Sequence, residues 1–402
     1  MSLNSTPSGE RVHISFFGLR NAGKSALINA VTGQELAVVS DVPGTTTDPV
    51  SKAMELLPLG PVMMTDTPGI DDFGGLGELR VKKTKQTLNR TDIAVLVTER
   101  EAPAPDEEEL IALFKAKGIP YITAHTKHDS GSPVPEREGE IWVSAKTGYN
   151  IGALKDMLGR MAPKDEDRPI IRDMLDRGDT VVLVVPIDAS APKGRLILPQ
   201  QQTIRDILDV GAAAYVTRDD TLKDTLSSLK EPPRIVVTDS QAFRSVAADT
   251  PESVPLTSFS ILLARHKGFL DTAVRGVTAI DRLKDGDTVL ISEGCTHHRQ
   301  CEDIGTVKIP NMLKKHTGKR FTVETSSGGG WPEDLSKYAM VIHCGGCMLS
   351  PREMKYRMQC AVDAGIPFTN YGITLAYLTG VLRRSISPFP GLLEDYDRLL
   401  GK

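Results

Sequence analysis

The stretch Gly18-Leu19-Arg20-Asn21-Ala22-Gly23-Lys24-Ser25 decides the fold of this chain. It fits G-x-x-x-x-G-K-S in full. Val12 to Phe17, before it, reads as a buried strand, and Ala26 to Val31, after it, as a helix. Glycines at this spacing let backbone amides curl around a phosphate, a lysine reach the β- and γ-phosphates, and a serine bind magnesium. The setting predicts an α/β nucleotide-binding domain with Gly18, Asn21, Ala22, Gly23, Lys24, Ser25 and Ala26 around the phosphates.

Four further motifs follow in order. Pro43-Gly44-Thr45-Thr46-Thr47-Asp48 supplies a switch threonine, Thr46, to close on magnesium and the γ-phosphate. Asp66-Thr67-Pro68-Gly69 comes after the apolar stretch Val62 to Met64 and matches D-x-x-G. Asp66 is expected to hold magnesium through water, and the Gly69 amide to sense the γ-phosphate. Thr126-Lys127-His128-Asp129 follows a strand at Tyr121 to Ala124 and is similar to N-K-x-D, with threonine where asparagine is usual. Asp129 would take the two donors on the guanine edge. Ser144-Ala145-Lys146 matches the last base-binding loop. Five such matches at strand ends of a β/α alternation predict a P-loop GTPase that uses GTP and Mg2+.

Asn21 and Gly44-Thr45-Thr46 resemble the TrmE–Era branch of GTPases. That resemblance implies that Asn21 helps hold K+, whose charge replaces an arginine finger. Ile70 follows Gly69 where many GTPases carry a water-orienting glutamine. Slow intrinsic hydrolysis is expected unless Asp71, Asp72 or Glu78 swings in.

The chain has 402 residues, enough for two or three domains, with 40% hydrophobic and 25% charged residues. A net charge of −4 makes no electrostatic case for nucleic acid. No apolar run reaches the roughly 18–20 residues needed to span a membrane. Residues 1–9 read as a disordered lead-in and 10–163 as the GTPase domain. Residues 164–172 read as a charged, proline-bounded linker. Residues 173–265, strand–helix alternation without a catalytic constellation, read as a dimerisation domain. Within them Lys193, Gly194 and Arg195 have the chemistry to contact a phosphate but read rather as a solvated turn, and Pro199 to Asp209 reads as a loop followed by a helix.

Residues 266–402 read as a third α/β domain that carries metal ligands. Four of the five cysteines fall between Cys295 and Cys347, and the chain opens without an apolar leader. The expectation is a reducing cytoplasm and metal ligation rather than disulfides. His343-Cys344-Gly345-Gly346-Cys347 is a chelating turn at the end of a strand over Ala339 to Ile342. Cys295-Thr296-His297 follows a strand over Thr288 to Ile291. Three cysteines around an open fourth position suit an iron–sulfur cluster with one exchangeable ligand. Structural zinc completed by Cys301 or a histidine is the rival, and buried cysteines that bind nothing are the third reading. Thr325 to Trp331 reads as a flexible loop beside the metal, Cys360 as a packed core cysteine, and His266 and His316 as surface residues.

Taken together, the GTPase motifs, the middle α/β module and Cys-x-His…His-Cys-x-x-Cys resemble the FeFe-hydrogenase maturation GTPase family. The resemblance covers nearly the whole chain. It implies a scaffold that binds a 4Fe-4S cluster through Cys295, Cys344 and Cys347, with His297, His343, Glu302 or Asp303 at the fourth position; Cys301 lies outside the family motif, and its closeness in sequence keeps it a further candidate. It also implies receipt of a diiron precursor made with radical-SAM maturation enzymes and its delivery to apo FeFe-hydrogenase. The homodimer is expected from the middle module, whose lack of a catalytic constellation points to assembly. The alternative is a ribosome- or tRNA-associated TrmE–Era-type GTPase with a zinc-stabilised tail. A plain GTPase switch with inert cysteines is the third possibility.

Overall fold

The computed structural model describes residues 8–33, 50–57, 59–69, 87–132, 134–135, 137–161, 168–187, 196–294, 303–328, 330–332 and 334–401. The chain divides into two compact units, Met1–Glu166 and Asp167–Lys402.

The first unit is built on a six-stranded sheet. Its strands are β1 (Val12–Phe17), β2 (Val50–Leu56), β3 (Gly60–Asp66), β4 (Ile93–Thr98), β5 (Tyr121–His125) and β6 (Glu140–Trp142), in the order β2-β3-β1-β4-β5-β6. Only β2 runs antiparallel. Side chains alternate across a strand, so a strand covered on both faces must be apolar on both. Ile14 and Phe16 join one core with Leu27 and Leu154, from helices α1 (Lys24–Thr32) and α3 (Ile151–Arg160). Phe17 joins the opposite core with Leu110 and Phe114 of α2 (Pro105–Ala116). This is the expected α/β nucleotide-binding fold, with helices on both faces and strand ends free to carry loops.

The second unit contains two four-stranded parallel sheets. One has the order β10-β9-β7-β8, from β7 (Thr180–Val184), β8 (Ala213–Thr217), β9 (Ile235–Thr238) and β10 (Leu256–Ser258). The other has the order β12-β11-β13-β14, from β11 (Thr288–Glu293), β12 (Thr322–Ser327), β13 (Met340–His343) and β14 (Phe368–Asn370). The helix Phe259–His266 joins them, because it is apolar on both sides. Its Phe259 and Leu262 enter the core of the first sheet, and its Ile261 and Ala264 enter that of the second. A helix with apolar residues on two sides has to be covered on both, so the two sheets form one unit.

Three local readings change. Of the expected loop at 325–331, residues 325–327 are the end of strand β12; their polar sequence reflects an edge position that leaves the strand half exposed. The helix begins at Leu198 rather than after a loop, because Pro199 sits in the first helical turn, where its missing N–H costs nothing. His266 is half-buried, its Nδ1 2.5 Å from the Arg168 carbonyl, and burial lowers its pKa. His316 is exposed and pairs with Asp281, and Cys360 packs partly buried against the second core. Among the described residues no helix is long and apolar enough to cross a membrane.

Candidate functional site

The carboxyl ends of β1, β3, β5 and β6 bring the first set of predicted residues together. Gly23 precedes α1 with φ 87°, which turns the chain from loop into helix. Lys24 is buried, and its Nζ donates to the Gly18 carbonyl at 3.1 Å and the Leu19 carbonyl at 2.7 Å. Its ammonium thus lies folded over the Gly18–Gly23 loop. The Ser25 hydroxyl donates to Asp66 Oδ2 at 2.6 Å. The other carboxylate oxygen, Asp66 Oδ1, is buried with no hydrogen-bond partner. Burial pushes the Asp66 pKa up, against the opposing pull of the Ser25 hydroxyl and the Lys24 ammonium. An orphaned carboxylate oxygen beside a serine hydroxyl is a hard-oxygen donor set that fits Mg2+. Gly69 lies so close to the loop that a Cβ there would sit 2.9 Å from Arg20 Cα. Any side chain would push the D-x-x-G turn away from the phosphate loop.

The base-side residues also converge. Thr126 Oγ1 donates to the Ala22 carbonyl at 2.7 Å, so the threonine ties the base loop to the phosphate loop. Lys127 has φ 60° and pairs with Glu99. The Ser144 hydroxyl donates to Asp129 Oδ1 at 2.6 Å and orients that exposed carboxylate. Ala145 and the exposed Lys146 follow Ser144 in the same loop. Asn21, exposed, has φ 60°. Thr46, with Thr45, Asp71, Asp72 and Glu78, lies outside the described residues.

The second set lies at the ends of β11 and β13. Ser292 pairs in register with His343, and the Cys344 amide donates to the Ser292 carbonyl at 2.8 Å. Cys344 Sγ accepts from the Gly294 amide at 3.1 Å and the Gly346 amide at 3.4 Å. Two amides on one sulfur stabilise a thiolate, the form that binds iron. Gly346 has φ +63°, and a Cβ there would meet Met354 Sδ at 2.4 Å, so only glycine makes this turn. Cys344 and Cys347 are half-buried free thiols. Two soft thiolates on one glycine turn fit an iron–sulfur cluster. Cys295 and His297, with Cys301 and Glu302, lie outside the described residues, as do Lys193, Gly194 and Arg195. Among the described residues no group of three or more His, Cys, Asp or Glu gathers as a metal site.

The candidates for a fourth ligand separate here. His343 is fully buried, with Nδ1 2.8 Å from the Cys344 carbonyl and Nε2 3.1 Å from Arg357 Nη1. Burial, with Arg357 beside it, holds its pKa down at about 3. Both ring nitrogens are engaged, so in this arrangement neither faces a metal. Asp303 Oδ2 accepts from the Thr306 amide at 2.8 Å and caps the turn of helix that follows. Sequence reasoning missed three residues of this site. Glu293 is buried and accepts from the Tyr371 hydroxyl at 3.2 Å, and this carboxylate, after burial itself, raises the Tyr371 pKa. Arg357, fully buried, pairs with Glu353 and stacks over Trp331. Lys267, also buried, reaches the turn itself. Glu293 had one signal, its place at a strand end two residues before Cys295; the two cations had none.

Three family models match successive segments of the chain. Residues 13–127 match the model described as 50S ribosome-binding GTPase. Residues 170–268 match the hydrogen maturase F dimerization domain, and residues 271–388 its tetramerization domain. The tRNA modification GTPase MnmE of Nitrosospira multiformis is 31% identical over 160 residues, 38% of this chain and 35% of that protein. GTPase Der of Wolinella succinogenes is 41% identical over 165 residues, 37% of this chain and 35% of that protein. The chain thus spans about a third of the length of these curated relatives. A crystal structure of Aquifex aeolicus Era bound to GDP.AlF4- is 21% identical, covering 52% of this chain and 94% of that one at a TM-score of 0.35. With both hydrogen maturase F domains in succession behind a GTPase domain, the chain belongs to the hydrogen maturase F family.

Proposed function

We propose that this protein is a GTP-hydrolysing scaffold and carrier. It binds a 4Fe-4S cluster, takes up a diiron precursor as cargo and delivers it to apo FeFe-hydrogenase. The observation that carries the reading is a conjunction in one chain. A phosphate loop has a Ser25–Asp66 pair at its mouth, and a Cys-Gly-Gly-Cys turn has two amides on the Cys344 sulfur. The turn lies within the residues that match a hydrogen maturase F domain. The tRNA- or ribosome-associated alternative accounts for the GTPase motifs and leaves residues 170–388 without an explanation.

In the GTPase site, Lys24 exchanges its two carbonyl partners for the β- and γ-phosphates, and Gly18 to Ala26 present amides to them. Ser25, Thr46 and Asp66 hold Mg2+, which when bound neutralises charge on the phosphate oxygens. Gly69, packed on Arg20, reports the γ-phosphate through its amide. Thr126, Lys127, Asp129, Ser144, Ala145 and Lys146 form the guanine pocket, and Asn21 holds K+. Turnover is slow, because Ile70 cannot orient water, and is faster in potassium than in sodium. Equal rates in the two salts would remove K+ from the scheme.

In the cluster site, Cys295, Cys344 and Cys347 hold the iron, and His297 or an acidic neighbour takes the exchangeable position. The cluster supplies one iron not locked by thiolate, at which cargo can dock. Radical-SAM maturation enzymes supply that cargo. The scaffold is a homodimer through residues 173–265. Supporting this, β8 is an edge strand whose Tyr215 and Val216 are about half exposed, an open template for pairing. Val216→Lys should give monomers or altered assemblies by light scattering.

Anaerobic purification tests the whole reading. Iron and acid-labile sulfide in near-equal amounts, with an electron paramagnetic resonance signal on reduction, support it. Stoichiometric zinc without sulfide sinks it in favour of a closed structural site.

A further inference from the structure

The cysteine turn is held from outside by a residue that no motif contains. Lys267 follows the buried helix Phe259–His266 and is itself only 5% exposed. Its Nζ donates to the Gly346 carbonyl at 2.5 Å and to the Leu349 carbonyl at 2.8 Å. Gly346 O also accepts from the Leu349 amide at 3.0 Å, so one carbonyl is held from two sides. That carbonyl belongs to the peptide entering Cys347, and fixing it fixes where Cys347 leaves the turn. Lys267 lies inside the segment that matches the dimerization domain, and the turn lies inside the segment that matches the tetramerization domain. Among the described residues the second buried cation beside the turn, Arg357, is ion-paired with Glu353 and bonded to the Gly328 carbonyl.

We propose that Lys267 is a positioning residue of the cluster site: its ammonium locks the Cys344–Leu349 turn and sets a buried positive charge beside the cluster. This rests on the reading that Cys344 and Cys347 hold that cluster. Hydrogen bonds from a charged donor are stronger than neutral ones, and their loss leaves two carbonyls unsatisfied. A cluster bound by three thiolates is net anionic, and a nearby cation in a poorly polarisable interior favours its reduced state. Lys267 therefore ties the dimerization segment to both the shape and the redox poise of the cluster loop.

The test uses full-length protein as wild type, Lys267→Met and Lys267→Arg. In metal-free protein, amide hydrogen exchange in peptides spanning 344–350 should be about tenfold faster in Lys267→Met, the loss expected for a charge-assisted bond, and should return toward wild type in Lys267→Arg. In iron- and sulfide-reconstituted protein, potentiometry followed by electron paramagnetic resonance should show Lys267→Met shifted to more negative potential and Lys267→Arg restored. Wild-type exchange in Lys267→Met overturns the positioning role. Faster exchange with an unchanged potential overturns the electrostatic role. A wild-type protein that takes up no cluster refutes the proposed function instead, and the exchange measurement still decides whether Lys267 holds the turn. Where Lys267→Met does not fold, Lys267→Gln, which keeps one donor, is read in the same two measurements.

Discussion

The phosphate loop and the cysteine turn solve one problem in two ways. Each is a glycine-containing turn at the end of a parallel strand, and in each a buried lysine donates to two turn carbonyls. Lys24 comes from the loop itself, five and six residues from its acceptors. Lys267 comes from 79 and 82 residues away. A lysine on its own loop moves with the loop and can be released to a phosphate. A lysine fixed on another module constrains the turn and stays. The difference teaches that the first site is built to bind and let go, and the second to be held in place by its neighbour.

The comparison breaks if the cysteine turn holds nothing. Cys344→Ala should lose the cluster altogether, measured as iron and sulfide per chain after reconstitution, because it removes the thiolate on which two amides converge. Retention of wild-type iron would show that the turn is not a ligand set. At the other site, Lys24→Ala should lower GTP turnover roughly a hundredfold or more, the scale for removing one preorganised charge from a phosphoryl-transfer site. A smaller loss would mean that the lysine stays on its loop carbonyls throughout.

Two variants sharpen the picture of the base side. Asp129→Ala should cut the preference for GTP over ATP by about a hundredfold, since two charge-assisted bonds to guanine are lost. Ser144→Ala should cost about tenfold in GTP affinity, because Asp129 loses the hydroxyl that orients it. Combined, the two should be less than additive. Additivity would place Ser144 outside the Asp129 pair.

The smallest expected effect concerns stability. Burial raises the Asp66 pKa in the folded state above its unfolded value. The native protein therefore keeps this proton to higher pH than the unfolded chain does. Ionised Asp66 costs stability above its folded pKa, and the cost is relieved as pH falls toward the unfolded value. Asp66→Asn should therefore raise the melting temperature of nucleotide-free protein slightly at neutral pH, while raising the Mg2+ concentration that turnover requires. A lower melting temperature would mean that the Ser25 hydrogen bond outweighs the desolvation.

Much of this protein is decided by local sequence. The phosphate loop, the D-x-x-G turn and the base loops are contiguous motifs whose residues meet because they end neighbouring parallel strands. Thr126 shows how strand order completes these motifs: it reaches the Ala22 carbonyl, 104 residues away, because parallel strands end their loops on one side of the sheet. Cys344, Gly346 and Cys347 are likewise a short-range turn, and its glycine was legible. What only tertiary structure decided lies at long range. Edge placement made 322–327 a strand despite its polar residues. Burial of both ring nitrogens turned His343 from an open donor into a bonded core residue. Arg357 and Lys267 carry no local signature, because a surface lysine and a buried one are spelled alike. Their roles come from the packing of helix against sheet, which places a charge where only a carbonyl-lined turn can satisfy it.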